Sequence, residues 1–350
     1  MDTGSPERRK RGMSGAELAR LLGVSPAAVS YALHGRPGVS EQTRDRILTA
    51  AKKHHVRTPA STHTRDERDV LGVILADVSN PFYSEFAISV TDVARDRGYE
   101  VFLSNSRDER EAVAAAVTTM IEHGVSGVLL TAIQSGDADV CRTLRAARIP
   151  FVQISRRMTH VDADFVGIDD RSAGTEIMNH ILDHGYSDVA VVAGPASSTA
   201  SSSRAGGFRD AMARRGIQLR RECNITGGLN EADGARAARY LLDQPTLPEA
   251  VVCGTDAIAL GLISALGTRG IRVPDDVAVT GFDGLTTART HMADLTTVVQ
   301  PRRRMAAEAI EMVTERRQRF NAPSHAVLCP HHLYIGKSCG CTARTEKKND

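Results

Sequence analysis

The sequence predicts a small all-α N-terminal unit followed by an α/β body built as two doubly wound, parallel-sheet lobes. Three observations carry that expectation. Residues 1–65 hold 12 Lys/Arg against 5 Asp/Glu, a net +7, while the remainder holds 32 against 37. Closely spaced helix start and stop signals crowd into that basic head. From Val70 onward, apolar strand-like runs alternate with amphipathic helical stretches, the pattern of parallel sheets covered on both faces. About 265 residues of this pattern exceed one open sheet of modest size, so two lobes are expected.

Composition narrows the function. The chain has 350 residues, 41% hydrophobic and 25% charged, enough for two or three domains of roughly 100–200 residues. No apolar run approaches the roughly 18–20 residues of a membrane span. Residues 1–13 are polar and lack the apolar centre of a secretory signal, so a cytoplasmic location is expected. Six scattered cysteines without framework spacing suggest reduced thiols. With 8 Phe, 6 Tyr and no Trp, a wide aromatic stacking platform is poorly supplied.

In the basic head, Ser14 and Glu17 have capping-box spacing and open a helix carrying Leu18, Ala19 and Leu22 inward, which stops at Gly23. Ser25 is an N-cap and Pro26 suits the first helical position, so residues 26–33 read as a second helix with Val29, Ala32 and Leu33 inward. Ser40 and Glu41 open a third helix, to about His54, bearing Ile47, Leu48 and Ala51. Three short helices with net positive charge form a helix-turn-helix unit, whose second helix suits the DNA major groove; a packing or dimerisation cap is the bland alternative. Ala27, Ser30 and Tyr31 face outward on that helix.

The run from Glu17 through Gly23-Val24-Ser25-Pro26-Ala27-Ala28-Val29-Ser30-Tyr31 to Gly38-Val39-Ser40 resembles the headpiece of the lactose-repressor/galactose-repressor family of bacterial transcription regulators. The resemblance implies that Pro26, Ala27 and Tyr31 read bases while Ser25, Ser30 and His34 lie near phosphates. Arg36, in the loop after the second helix, is expected to hold the DNA backbone. Pro26 has no N–H and Ala27 no polar side chain, so direct readout leans on Tyr31. Family members follow the third helix with a hinge helix whose Leu wedges into the minor groove. Residues 54–69 contain no Leu, so a hinge at 58–65 is expected to dock without a wedge or to act as a linker.

Strand-like runs fall at 70–76, 101–103, 127–130, 151–154, 189–192, 250–253 and 277–280, with helical patterns at 86–97, 109–122, 172–184, 204–215, 232–242 and 257–269. The family resemblance extends over this body through Asp77-Val78-Ser79-Asn80-Pro81-Phe82, Gly167-Ile168-Asp169-Asp170, Gly281-Phe282-Asp283 and Thr296-Thr297-Val298-Val299-Gln300. It implies two lobes of the periplasmic-binding-protein type. The implied division is a headpiece at 1–57, a hinge at 58–69, a body at 70–336 and a tail at 337–350. Lobe one would combine 70–166 with 299–320, and lobe two 167–297 with 321–336, with crossings near Gly167, Val298 and Asn321.

Ligands of doubly wound sheets bind at the carboxyl ends of the strands. Arg204, beyond the serine-rich loop at 197–203 and opening a helix, offers a planar fork of donors, and Asp283 follows an apolar strand with two acceptors. Together they resemble the family's sugar or nucleobase clamp. Asp169 and Gln300 would line the same cleft, with Phe82 and Tyr83 as its apolar wall. Thr255-Asp256 stands where the family usually has Asn-Asp, and Leu229 where an aromatic often stacks, so the expected sugar-like effector would meet one less aromatic face. A cap role for each Asp and a surface ion pair for Arg204 are the bland alternatives.

No phosphate-binding Gly-Lys loop, His-Glu-x-x-His helix or Gly-x-Ser-x-Gly elbow occurs, so no enzymatic activity is expected. His331-His332 with Cys339-Gly340-Cys341 is read as strand and disordered tail, so neither metal nor cofactor is expected. The leading reading is a ligand-responsive regulator, a repressor in the sense usual for the family, binding a near-palindromic operator as a homodimer with a sugar-like effector. A solute-binding protein without a DNA role and an α/β enzyme acting on sugars are the alternatives.

Overall fold

The computed structural model describes residues 13–33, 38–54, 56, 69–134, 136–158 and 160–341. His34, Arg36 and the hinge at 58–65 lie outside the described residues.

In the N-terminal unit, helices α1 (Gly15–Leu22), α2 (Pro26–Leu33) and α3 (Glu41–Lys53) close around Leu18, Ala19, Val29, Ala32, Leu33, Ile47, Ala51 and Val56. The helix ends follow the sequence signals. Ser14 Oγ accepts from the Glu17 N–H at 3.3 Å while Glu17 accepts from the Ser14 N–H at 2.7 Å. Gly23 closes α1 at φ 65°, a left-handed conformation suited to glycine. Ser25 Oγ accepts from the Ala28 N–H at 3.1 Å and starts α2.

The body holds β1 (Asp69–Leu75), α4 (Pro81–Asp96), β2 (Tyr99–Asn105), α5 (Arg110–Glu122), β3 (Gly127–Leu130), α6 (Ala138–Ala146), β4 (Phe151–Ile154) and β5 (Asp164–Gly167). There follow α7 (Asp170–Asp183), β6 (Val189–Ala193), α8 (Thr199–Arg214), β7 (Asn224–Thr226), α9 (Glu231–Leu242), β8 (Ala250–Cys253), α10 (Asp256–Gly267) and β9 (Ala278–Asp283). The body closes with β10 (Thr296–Val299), α11 (Arg302–Gln318), β11 (Ala326–Leu328) and β12 (His332–Tyr334). Among the described residues two six-stranded sheets result, ordered β11-β5-β4-β3-β1-β2 and β12-β10-β9-β8-β6-β7. Their pairings are parallel except that of β10 with the edge strand β12. Strands β3 to β6 and β8 to β10 are buried throughout, as expected when helices cover both sheet faces.

Three expectations need correction. The third crossing between sheets does not fall near Asn321: β11 adds to the first sheet beside β5, Val327 opposite Val166, and the chain crosses between Leu328 and His332. The half-exposed Ala-Val-Leu strand is too short to announce itself. The serine-rich stretch is not a loop up to Arg204. Ser198 Oγ accepts from the Ser201 N–H, α8 starts at Thr199, and Arg204 lies within its second turn. Residues 337–341 are not a disordered tail either. Ser338 donates to Val279 O at 2.6 Å and accepts from the Thr296 N–H at 2.9 Å, and Cys339 is fully buried.

Glycine pairs set the close helix approaches in the second lobe. A Cβ on Gly207 would lie 2.2 Å from Arg171 O, and one on Gly174 2.5 Å from Arg204 O. Only glycine lets α7 and α8 come this close, and that approach sets Asp170 beside Arg204.

Candidate functional site

On the N-terminal unit, Ser25, Pro26 and Ala27 are exposed, Ser30 is partly buried, and Tyr31 is 40% exposed. All five lie on the outer side of α2 and its cap, while Val29, Ala32 and Leu33 are buried. The Tyr31 ring lies over Gly38, where a Cβ would approach its Cδ2 to 3.3 Å and where φ is +118°. The loop glycine thus gives the tyrosine ring its seat.

In the body, the residues after β1, β2, β4, β6, β7, β8 and β9 converge between the two sheets, at the carboxyl ends of the strands. A cavity of about 20 Å³ is lined by Asn80, Phe82, Tyr83, Arg156, Arg204 and Asp283 among others, and Leu229 and Thr255 also reach it. A recess of about 160 Å³ adjoins it through Asn80, Tyr83, Arg156 and Leu229. Asn80 Nδ2 donates to Leu229 O at 3.0 Å, the Arg157 N–H to Thr199 Oγ1 at 3.0 Å, and the Thr286 N–H to Glu85 at 3.0 Å. These contacts tie one lobe to the other, so the cleft is in a closed form. Its free space is well below the roughly 300 Å³ at which pockets for drug-sized ligands begin, so larger ligands require the lobes to part.

Each wall carries a buried arginine held by carboxylates. In lobe two, Arg204 Nε donates to Asp170 at 2.8 Å, and Nη1 donates to Gly254 O at 2.9 Å and to Asp283 at 3.1 Å. Its guanidinium stacks on Phe282, 3.9 Å from the ring centroid. Burial works against the Arg204 charge, and the carboxylates of Asp170 and Asp283 more than offset it. Asp283 also accepts from Gln300 Nε2 at 2.7 Å, and its backbone sits at φ +120°. That strained conformation is over-determined by the Gln300 N–H and Arg302 Nη1, which both donate to the Asp283 carbonyl. In lobe one, Arg156 Nη1 donates to both Asp108 oxygens, at 2.6 and 2.9 Å, and Nη2 to Tyr83 Oη at 2.9 Å. Phe82 meets Tyr83 edge-on at 5.3 Å and stacks with Phe86.

Of the residues read from sequence, Phe82, Tyr83, Arg204, Thr255 and Asp283 meet at the cavity. Thr255 also caps α10, accepting from the Ile258 N–H at 3.1 Å. Asp169 does not line the cleft. It is exposed and caps α7 by accepting from the Ser172 N–H, while its neighbour Asp170 turns inward to Arg204. Gln300 sits at the crossover and supports Asp283 from beneath rather than forming the facing wall. Sequence reasoning missed Arg156, Asp108, Asn80 and Asp170. The rule that pointed to Asp283, a polar residue at the carboxyl end of a buried strand, applies equally to Arg156, two residues past β4.

Burial and the Asp283 charge push Asp256 up to about 7, and burial pushes Asp283 up to about 6. Asp256 faces Thr297 Oγ1 at 2.6 Å and the Leu285 N–H at 2.7 Å. Folded values above the unfolded reference of about 3.9 mean stability that is full in acid and lost as pH rises through about 6 to 7. Asp256→Asn should therefore raise stability by about 1–3 kcal/mol at pH 8 relative to wild type, with the difference vanishing towards pH 4. Urea titrations of both chains across that range check it; a gap that widens in acid contradicts the sign.

The headpiece and the two-lobed body with its interlobe cleft together define a ligand-responsive, DNA-binding regulator. Residues 16–57 match the family described as bacterial regulatory proteins, lacI family, and residues 68–337 match the periplasmic binding proteins and sugar binding domain of the LacI family. The chain belongs to the LacI family of bacterial transcription regulators. It is 28% identical to the transcriptional repressor PurR of Glaesserella parasuis, over 89% of this chain and 92% of that one. It is likewise 28% identical to the ribose operon repressor of Escherichia coli K12, over 86% and 92%. Among solved structures, a complex of the transcriptional regulator CelR with cellobiose aligns at TM-score 0.71 and 25% identity, covering 93% of this chain and 99% of that one. The lac repressor dimer bound to operator shares the fold at TM-score 0.70 and 21% identity, covering 94% and 99%. Among the described residues no helix is long and apolar enough to cross a membrane.

Proposed function

We propose that the chain is a cytoplasmic repressor that binds a near-palindromic operator as a homodimer and is switched by a small, sugar-like effector in the interlobe cleft. The observation that carries the effector reading is the pair of guanidinium clamps, Arg156 held by Asp108 and Arg204 held by Asp170 and Asp283, which with Asp283 line one cavity between the lobes. Such convergent donors and acceptors beside the Phe82 and Tyr83 rings suit vicinal hydroxyls. Arg204 leaves Nη2 without a hydrogen bond among the described residues, two N–H donors for a ligand.

Calorimetry with a panel of sugars, polyols and nucleobases should find a binder whose affinity falls at least about tenfold in Asp283→Asn, the loss expected of one charge-assisted hydrogen bond. A tight binder indifferent to Asp283→Asn and to Arg156→Lys would place the effector elsewhere.

On the headpiece, Pro26, Ala27 and Tyr31 would read bases, with Ser25 and Ser30 at phosphates. Tyr31→Ala should cost about 1–3 kcal/mol on cognate DNA and much less on a scrambled duplex, because base contacts carry specificity and phosphate contacts do not. Gel-shift titrations on both duplexes check this; equal losses would assign Tyr31 to the backbone.

A further inference from the structure

We propose that His180, His184, Cys339 and Cys341 form a closed four-ligand zinc site that fastens the end of the body, residues 337–341, onto helix α7. The sequence alone points to no metal and places the two cysteines in a tail; folding instead brings them to a histidine pair on a helix far earlier in the chain. The four ligand atoms all lie within 4.8 Å of one another. Cys339 Sγ is 3.2 Å from His180 Nε2, and Cys341 Sγ is 3.2 Å from His184 Nε2 and 3.8 Å from His180 Nε2. With Zn–N near 2.0 Å and Zn–S near 2.3 Å, a tetrahedral N₂S₂ shell has edges of about 3.3–3.8 Å. The three measured N–S distances, 3.2, 3.2 and 3.8 Å, bracket the roughly 3.5 Å expected of an N–S edge.

The local architecture explains how two thiols reach one point. His180 and His184 are one helical turn apart, so both rings leave the same face of α7, with centroids 5.0 Å apart and planes at 82°. They stand at the carboxyl end of that helix, where the backbone dipole favours a cation. Gly340, at φ +89°, turns the chain between the two cysteines, and a Cβ there would lie 2.7 Å from Tyr186 Oη. Only glycine fits that turn. Tyr186 in turn stacks with His184 and donates to Cys339 O at 3.3 Å.

A further contact orients the first sulfur. Thr296 Oγ1 donates to Cys339 Sγ at 3.0 Å, a supporting bond of the kind that fixes a metal ligand. Four protein ligands of soft and imidazole type, with no oxygen ligand among them, select zinc over magnesium or calcium and leave no coordination position for catalysis. The site is structural. It joins α7, whose other end carries Asp170, to the segment bonded to β9 and β10 through Ser338.

The test uses the untagged full-length chain purified under reducing conditions without chelator. Metal analysis should give about one zinc per chain after dialysis, and Co(II) exchanged into the site should show tetrahedral visible bands with thiolate charge transfer. Cys339→Ser combined with Cys341→Ser should abolish both signals. Because Cys339 is buried and its loss can disturb folding, His184→Asn serves as the second variant: it sits at an exposed position and should weaken zinc retention at least about tenfold with the fold intact by circular dichroism. Chelation of the wild type should lower its thermal midpoint by several degrees, since zinc binds only the folded arrangement. A chain that retains no zinc, a Co(II) spectrum without thiolate character, or zinc retention unchanged in the variants overturns the proposal.

Discussion

Arg204→Ala should destabilise the folded chain by about 3–5 kcal/mol and remove effector binding altogether. The guanidinium is enclosed, and its deletion strands two carboxylates, Asp170 and Asp283, inside lobe two. Asp283 would keep its bonds from Gln300 and Arg302, but Asp170 would lose its counter-charge. Burial already raises both acids, and losing the Arg204 charge that lowers them would raise both further, favouring their protonated forms. The variant should therefore lose more stability at pH 8 than at pH 5. Arg204→Lys should fall between: it keeps the charge but cannot reach Asp170, Gly254 O and Asp283 from one planar fork. Urea unfolding at both pH values reads the result, and a loss below about 1 kcal/mol would mean that this ion triad is solvated.

DNA binding by the full chain should weaken by about 10³-fold or more between 50 and 200 mM monovalent salt, the behaviour of a protein that neutralises roughly 6–10 phosphates. The net +7 of the segment 1–65 against an acidic remainder is the reason to expect that interaction on the headpiece. Each phosphate contact contributes about −0.9 to the log-log slope on duplex DNA. A chain lacking residues 1–56 should show no binding at either salt. Retained binding, or a flat salt profile, would move the DNA contact off the headpiece.

Legibility of the fold followed how local its causes are. The Ser14 and Glu17 box, the left-handed Gly23 and the Ser25-Pro26 start act within one helical turn, so the headpiece helices were readable almost to the residue. The strands β1, β3, β4, β6, β8 and β9 were readable because parallel strands under two helical layers are largely apolar. Strand β11 was not, since its place beside β5 is decided by pairing between segments far apart in the chain and its own side chains are half exposed. The cleft divided in the same way. Asp283 and Arg204 were found by their nearness to the carboxyl ends of apolar strands, whereas Asp169 and Asp170 are adjacent carboxylates with opposite fates. One caps a helix at the surface and the other is swung inward by the glycine-paired approach of α7 to α8. Arg156 hides in an Arg-Arg pair that reads as surface, though it is among the largest fully buried side chains. The histidine and cysteine cluster has a helical His-x-x-x-His half with metal-ligand spacing, but nothing local in the sequence joins it to Cys339 and Cys341, which come from a separate part of the body.

Closure of the cleft should set DNA affinity. Contacts from Asn80 to Leu229, from the Thr286 N–H to Glu85 and from the Arg157 N–H to Thr199 hold one lobe angle, and a ligand shifts that angle only by binding one form better than another. Fluorescence anisotropy of a duplex from the region around the chain's own gene, titrated with protein in the presence and absence of the ligand identified by calorimetry, measures the coupling directly. Saturating ligand should change operator affinity by about 5–150-fold, the usual span of allosteric coupling, and operator DNA should change ligand affinity by the same factor. Identical operator affinity with and without a ligand shown to sit on Arg204 and Asp283 would contradict that coupling.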